Sequence, residues 1–242
     1  MSLCQPSGDE NKFSCGACCG FFNLLLNRIQ QEELLKERYK SFKNLVDFSV
    51  RHSVVQYRQE RQKLEAELPK QDPTTYNCPY LSYIDEEKKR IGCMIHPFAS
   101  KDPLSQNFSF YGASICQAYR CKNYEREEYE AWKKMFCEIA ENSVEYSLLA
   151  SDHISIELLM KILFTNSKSF DENFEQKKEF IKELLRYKMN SSNLQNLSSF
   201  EVYYEDTLGN PVETLIKRFE IKEEDTIKKL YAYYNYKESL KD

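Results

Sequence analysis

Seven of the nine cysteines in this 242-residue chain lie in two short blocks, and this clustering constrains the fold more than any other feature. The first block is FSCGACCG at 13–20, and the second extends over 78–121. About sixty residues without any cysteine separate the two blocks. Cysteines that only fill a hydrophobic core would be scattered along the chain. We therefore interpret the clustered thiols as metal ligands: Cys15, Cys18, Cys19, Cys78, Cys93, Cys116 and Cys121.

The spacing within the first block suits a metal that prefers sulfur. Thiolate is the ligand shared by structural zinc sites and iron–sulfur clusters. Two residues separate Cys15 from Cys18, so both sulfurs can point to one ion, and Gly16 and Gly20 provide the permissive dihedral angles of such a turn. Cys19 cannot simply join Cys18, because adjacent side chains diverge. Cys18 and Cys19 therefore bind two different metal centres, or one of them binds a centre and the other is a spare thiol.

The second block has no diagnostic spacing, but it brings a histidine close to its thiols. His96 follows Cys93 by three residues, within reach of the same centre. If the two blocks meet, seven sulfurs converge. That number exceeds the four ligands of one tetrahedral ion and is one fewer than two such ions need.

The motifs FSCGACCG, CPYL with GCMIHP, and CQAYRC together resemble the YkgJ-like, CxxCxxCC cysteine-cluster family of zinc- or iron-chelating proteins. The resemblance covers residues 12–122, about half of the chain. It implies that the clustered cysteines bind metal. We expect zinc, with an iron–sulfur metalloenzyme of a protein-modifying or redox type as the alternative, because one related branch resembles flagellin lysine N-methylases. A metal carrier that uses the spare thiol is a third hypothesis.

The resemblance also indicates a missing ligand, because Lys12 stands where the family has its first cysteine. A lysine ammonium group cannot bind metal, which leaves Cys4 and His96 as replacements. Cys4 could reach the site only if the residues between it and Lys12 became ordered, at about 1–2 kcal/mol per residue. We therefore expect His96 to complete the ligand set and Cys4 to be dispensable.

Apolar residues outside the second block recur at helical spacing, which predicts a mostly α fold with at most a few short strands. The stripe from Leu35 to Tyr57 indicates either one long helix or two antiparallel helices. Further helices are predicted to begin near 129, 156, 169, 210 and 223, and 199–206 has the composition of a strand. The second block is expected to be a loop-dominated insert, with YLSYID and RIGCMIH as short strands, the exposed turn DEEKKR between them, and a loop at 99–112.

The cysteine distribution divides the chain into a metal-binding domain at 1–150 and a helical C-terminal module at 151–242, whose helices offer a surface for a protein partner. The net charge of −4 gives no reason to expect nucleic acid as a ligand. No apolar run is long enough to cross a bilayer, and the N-terminus lacks a signal-peptide pattern, so we expect a cytoplasmic protein without a membrane partner. The chain shows no glycine-rich nucleotide loop or hydrolase motif, which leaves enzymatic activity open.

Overall fold

The computed structural model describes residues 3–4, 12–124, 126–164, 170–191 and 209–238. Within these ranges ten α-helices and one two-stranded sheet form the fold, which confirms the prediction of a mostly α chain. The strands are β1 (Leu81–Tyr83) and β2 (Ile91–Cys93). In chain order the helices are α1 (Arg28–Leu45), α2 (Arg51–Leu64), α3 (Pro97–Ser100), α4 (Gly112–Ala118), α5 (Tyr129–Ile139), α6 (Ser143–Ala150), α7 (His153–Leu163), α8 (Phe170–Asn190), α9 (Pro211–Phe219) and α10 (Glu224–Glu238).

The first two helices form an antiparallel hairpin, which decides between the two alternatives for the long apolar stripe. The chain leaves the helical conformation at 46–50 and then enters α2. Phe42 near the end of α1 packs against Tyr57 of α2, with the two ring centroids 5.1 Å apart. One turn earlier in α1, Arg38 pairs with Glu65, which lies two turns beyond Tyr57. Because the order of contacts reverses along the chain, the helices run in opposite directions.

The two strands pair as the sequence predicts, and they pack against α1. β1 and β2 are antiparallel, with Ser82 opposite Gly92. The Ser82 hydroxyl donates a hydrogen bond of 2.6 Å to the carbonyl of Leu35. In the turn between the strands, the Asp85 carboxylate accepts hydrogen bonds from two backbone N–H groups, at 2.8 and 2.9 Å. The small sheet is therefore closed by its own turn and fixed to the helical hairpin.

The segment at 99–112, predicted to be a loop, contains a 3-10 turn at Ser105–Phe108 and is held by hydrogen bonds. Arg58 of α2 donates to the carbonyl of Phe108 at 2.6 Å. The hydroxyl of Ser105 donates to the carbonyl of Ile95, also at 2.6 Å. These contacts fix the middle of the insert against the hairpin and against the end of the sheet.

The later helices close around a large apolar core to which residues from Leu3 to Leu230 contribute. On α5, Trp132 is fully buried and meets Phe174 of α8 edge to face, with the centroids 5.2 Å apart. α9 begins as predicted, with the Asn210 side chain accepting from the N–H of Val212 at 2.8 Å. The predicted strand at 199–206 and the first residue of the predicted helix at 169 lie outside the described residues. Among the described helices, none has the length and hydropathy needed to cross a bilayer.

A buried ionic network joins α6 to the helices that follow it. Asp152 caps α7 by accepting from the N–H of Ser155 at 3.0 Å, and it pairs with Lys188 at 2.7 Å and Arg218 at 2.8 Å. Burial alone would raise the pKa of Asp152, but the charges of Lys188 and Arg218 hold it well below its ordinary value. Lys188 also donates to the carbonyl of Leu148 at 3.1 Å. Helices on both sides of the predicted boundary at 150 are therefore bound to one another.

A second buried ion, the guanidinium of Arg38, joins the helical hairpin to the second cysteine block. Its Nε donates to Glu65 at 2.9 Å, and its Nη1 donates to the carbonyls of Cys78 at 3.1 Å and Leu81 at 3.2 Å. Glu65 also pairs with Arg61 at 2.8 Å. The side chain of Arg38 is 1% exposed, so all of these bonds are made away from water. The backbone of CPYL is thus tied to α1 and, through Glu65, to α2.

Replacing Glu65 with Gln should remove the counter-charge of the buried Arg38 guanidinium and the nearer of the two carboxylates that pair with Arg61. We expect the free energy of unfolding to fall by about 3 kcal/mol, as is usual when one partner of a buried ion pair is removed. Urea titration followed by circular dichroism measures this loss. The control Glu67→Gln, at an exposed position two residues further on, should change the value by less than about 0.5 kcal/mol. Equal effects of both changes would contradict this role of Glu65.

Candidate metal centre

The first cysteine block forms a tight turn that requires glycine. A 3-10 turn at Ala17–Cys19 is followed by Gly20 in the left-handed region, at φ 72°. A Cβ atom on Gly20 would lie 2.5 Å from the carbonyl oxygen of Tyr76, so a larger residue would fit neither the dihedral angle nor the space. This close approach lets the N–H of Cys78 donate to the carbonyl of Cys19 at 3.0 Å. The two cysteine blocks are therefore in direct backbone contact.

Serine hydroxyls of α6 hold the opposite side of the first block. The N–H of Gly16 donates to the hydroxyl of Ser147 at 3.0 Å, and the N–H of Ser14 donates to that of Ser143 at 3.0 Å. The Ser14 hydroxyl in turn donates to the carbonyl of Ile91 in β2 at 2.6 Å. The block thus lies between α6, the sheet and the second block.

Leu3 and Cys4 are also fixed against the first block. Leu3 is fully buried, and its carbonyl accepts from the hydroxyl of Tyr146 at 2.8 Å. The carbonyl of Cys4 accepts from the N–H of Cys15 at 2.8 Å. The Sγ atoms of Cys4 and Cys121 are 3.9 Å apart. The structure therefore places Cys4, which the sequence analysis treats as dispensable, among the clustered thiols.

Two polar side chains of the insert reach thiols of the second block. The hydroxyl of Ser109 lies 3.4 Å from the Sγ of Cys78, and Nε2 of Gln106 donates to the Sγ of Cys93 at 3.9 Å. Neither residue belongs to one of the cysteine motifs, so the motif spacing predicts neither contact. The available signal is that Ser109 begins the otherwise apolar tetrapeptide SFYG, inside a segment bounded by cysteines.

Eight of the nine cysteines lie in neighbouring segments and affect one another's pKa, and we call them the cysteine group. Interactions with the thiols of Cys18 and Cys78 raise the pKa of Cys19 well above its ordinary value. The charge of Cys78 acts on Cys93 and Cys116. The ninth, Cys137, lies on α5 and packs against the large core. The members of the cysteine group are Cys4, Cys15, Cys18, Cys19, Cys78, Cys93, Cys116 and Cys121.

The electrostatics of the cysteine group differ from thiol to thiol. Burial raises the pKa of Cys15 to about 12 and that of Cys116 to about 11, since an isolated buried thiolate is unfavourable. The pKa of Cys78 is instead lowered to about 7. Its hydrogen bond with Cys19 is the largest cause, burial opposes it, and the positive charge of Arg38 acts in the same direction as the hydrogen bond. Cys78 therefore differs from Cys15 and Cys116, because its surroundings favour the thiolate.

His96 makes local contacts in the structure. Its Nδ1 accepts from the N–H of Phe98 at 3.3 Å, so His96 is the N-cap of α3, and its ring lies 5.0 Å from that of Phe98. Partial burial lowers the pKa of the imidazole. Lys12, at the position of the family's first cysteine, is exposed. Metal binding by His96 stays a prediction.

The cysteines lie in neighbouring segments, but their side chains are not oriented towards a common metal position. Within the part of the chain that the structure describes, no three Cys, His, Asp or Glu side chains are arranged so that they could hold a metal ion. Cys18 is exposed, so the cysteine group is open to solvent on one side. The donor set itself fits a metal that prefers sulfur. Binding would therefore require rotation of cysteine side chains on a backbone that already brings them together.

Comparison of the chain with known protein families, with curated proteins and with solved structures finds no match. The likeness to the cysteine-cluster family therefore rests on the motifs alone and stays a prediction.

Replacing Gly20 with Ala tests whether the close approach of the two blocks matters for stability. We expect a loss of about 2 kcal/mol in the free energy of unfolding, because the new Cβ meets the Tyr76 carbonyl and the left-handed dihedral angle becomes strained. Gly209→Ala is the matched control, since its nearest neighbour would be the Thr214 hydroxyl at 4.0 Å. Urea unfolding of both variants gives the comparison. If Gly20→Ala unfolds like the control, the turn does not depend on glycine.

Proposed function

We propose that the protein binds zinc through the thiolates of the cysteine group. The observation that carries this proposal is the meeting of thiols from separate parts of the chain. Cys4 and Cys121 lie at opposite ends of the sequence before α5 and are in contact, and the others come from the first block, the residues before β1, the end of β2, and α4. All nine cysteines are free thiols, so a disulfide framework does not explain the clustering.

Partial exposure argues against a purely hydrophobic role for the cysteine group. Cysteines that serve only as small apolar side chains are among the most completely buried residues. In this group Cys78 is buried, Cys18 is exposed, and the remaining members are partly exposed. The partly exposed residues leave the cysteine group next to solvent, from which an ion can enter, as a metal site requires.

Zinc bound here would act as a structural ion. A structural zinc site contributes its binding free energy directly to folding. The insert is the part of the chain that gains most, because several of its apolar side chains do not contribute to the core: Phe98 is 92% exposed and Phe110 is 76% exposed. Zinc bound by thiolates of both the insert and the first block would hold the insert in place, which these exposed side chains do not do.

An iron–sulfur cluster is the second candidate, with protein-modifying or redox chemistry as its use. The observation in its favour is that polar groups contact cysteine sulfur, as Gln106 does at Cys93 and Ser109 does at Cys78. Hydrogen bonds to sulfur are one of the means by which proteins adjust the reduction potential of such clusters. Iron would supply one-electron transfer, whereas zinc would not.

The proposal includes a reducing compartment, the cytoplasm, because free thiols in this number persist where disulfides do not form. We also propose that the C-terminal helices bind a protein partner. α10 offers a surface for one, since its side chain Tyr236 is 63% exposed.

Replacing Cys18 with Ser tests joint binding by the two blocks. We expect the variant, purified without oxygen, to lose at least half of its bound metal, because a serine hydroxyl is a poor ligand for zinc or for an iron–sulfur cluster. Elemental analysis measures the loss, and the visible spectrum of the unaltered protein separates colourless zinc protein from brown iron–sulfur protein. Cys137→Ser, outside the cysteine group, should keep its full metal content. Unaltered protein that contains neither metal, or a Cys18 variant with unchanged metal, would refute the proposal.

A further inference from the structure

We propose that Cys4 and Cys121 form a reversible disulfide bond when the protein is exposed to a hydroperoxide. This modification goes beyond the proposed metal binding, and it does not require a bound ion. Both residues are free thiols in the structure, and their Sγ atoms are 3.9 Å apart. That distance is the contact of two unbonded thiols, and a disulfide requires the sulfur atoms to move about 1.9 Å closer to each other.

The fold holds Cys4 beside Cys121 through contacts that do not involve sulfur. The neighbouring residue Leu3 is fully buried, and its carbonyl accepts from the hydroxyl of Tyr146 in α6 at 2.8 Å. The carbonyl of Cys4 accepts from the N–H of Cys15 at 2.8 Å. Packing of the reduced protein therefore brings the two thiols together across 117 residues of sequence.

The segment that carries Cys121 is held by the same helix. Asn123, two residues further on, is fully buried, and its side chain donates to the carbonyl of Ala150 at the end of α6 at 2.9 Å. The N–H of Tyr124 donates to the carbonyl of Cys121 at 2.9 Å, which closes a turn there. Tyr146 and Ala150 lie one turn apart on α6, so this helix aligns the two segments that carry the thiols.

The reaction with hydrogen peroxide has two steps. The thiolate of one cysteine attacks a peroxide oxygen and breaks the O–O bond, and the departing hydroxide takes up the proton that the thiol lost, which leaves a sulfenic acid and water. The thiol of the other cysteine then attacks the sulfenic sulfur, which forms the S–S bond and releases a second water. Two thiols are thereby oxidised by two electrons, and one peroxide is reduced to two waters.

The surroundings of the two cysteines suit this chemistry. Both residues are partly exposed, so a small peroxide can reach them from solvent. Redox-sensing cysteines are accessible and lie next to a second cysteine, which converts the sulfenic acid to a disulfide before further oxidation. In a reducing compartment such disulfides are transient. Because both residues belong to the cysteine group, a bridged chain has two fewer thiols with which to bind metal.

The experiment treats the full chain, purified without oxygen and kept in EDTA, with one equivalent of hydrogen peroxide, and then alkylates the remaining thiols. We expect the free thiols to fall from nine to seven per chain, since one bridge consumes two, and dithiothreitol should restore them. The bridged monomer should migrate faster than the reduced chain on a non-reducing denaturing gel, because the bond closes a loop across 117 residues.

Peptide mapping by mass spectrometry of the gel-separated monomer identifies the bond. Trypsin cleaves after Lys12, Arg120 and Lys122. The expected product is therefore the peptide 1–12, which contains Cys4, joined to the dipeptide Cys121–Lys122. This linked peptide should be absent from the reduced protein.

Two variants distinguish this bond from general oxidation. Cys4→Ser should lack the linked peptide and should lose no thiols under the same treatment, whereas Cys137→Ser should form the linked peptide as the unaltered protein does. A thiol count that falls without the linked peptide, as a bond between Cys19 and Cys78 would give, would overturn the inference. An unchanged thiol count in the unaltered protein would overturn it as well. Because EDTA keeps metal away from the thiols, either outcome leaves the test of the proposed function unaffected.

Discussion

The buried guanidinium of Arg38 determines where the second cysteine block can lie. A charge removed from water must be paired and hydrogen-bonded, and Arg38 meets this requirement through Glu65 and the carbonyls of Cys78 and Leu81. The hydroxyl of Tyr57 adds a bond of 3.0 Å to the neighbouring carbonyl of Pro79. Contacts from the helical hairpin to its backbone thus fix the CPYL motif independently of the cysteine sulfur atoms.

The remaining contacts of the cysteine group depend on the fixed position of the CPYL motif. The N–H of Cys78 reaches the carbonyl of Cys19, and Gly20 permits the close approach. The serines of α6 hold the other side of the first block, and α6 is itself bound to the later helices through Lys188 and Asp152. The cysteine group is therefore supported by helices from both halves of the chain, although all of its thiols precede α5.

Features of the fold with a local signal could be predicted from the sequence. Apolar periodicity predicted the helices, and Asn210 followed by Pro211 marked the start of α9. The break in the hairpin could not be decided, because Val46, Val50 and Val54 continue the helical spacing through the turn. In the structure Val50 is 51% exposed, which shows that this part of the stripe does not belong to the core.

The composition of the cysteine group was predictable only in part. Clustering and motifs identified seven of its thiols, but the contact between Cys4 and Cys121 depends on the path of the whole chain and has no local sequence signal. Arg38 could not be found either, since a charged residue on an amphipathic helix ordinarily faces solvent. Long-range packing determines the positions of Cys4 and Arg38, and spacing along the sequence does not reveal such packing.

The central claim is that cysteine sulfur alone binds the metal in this fold. X-ray absorption spectroscopy at the edge of the metal in the purified protein tests that claim most directly, because it reports the atoms bonded to the ion. The account predicts four sulfur atoms per metal at about 2.3 Å and no nitrogen or oxygen. A first coordination sphere that contains nitrogen or oxygen, or a protein without bound metal, would contradict it.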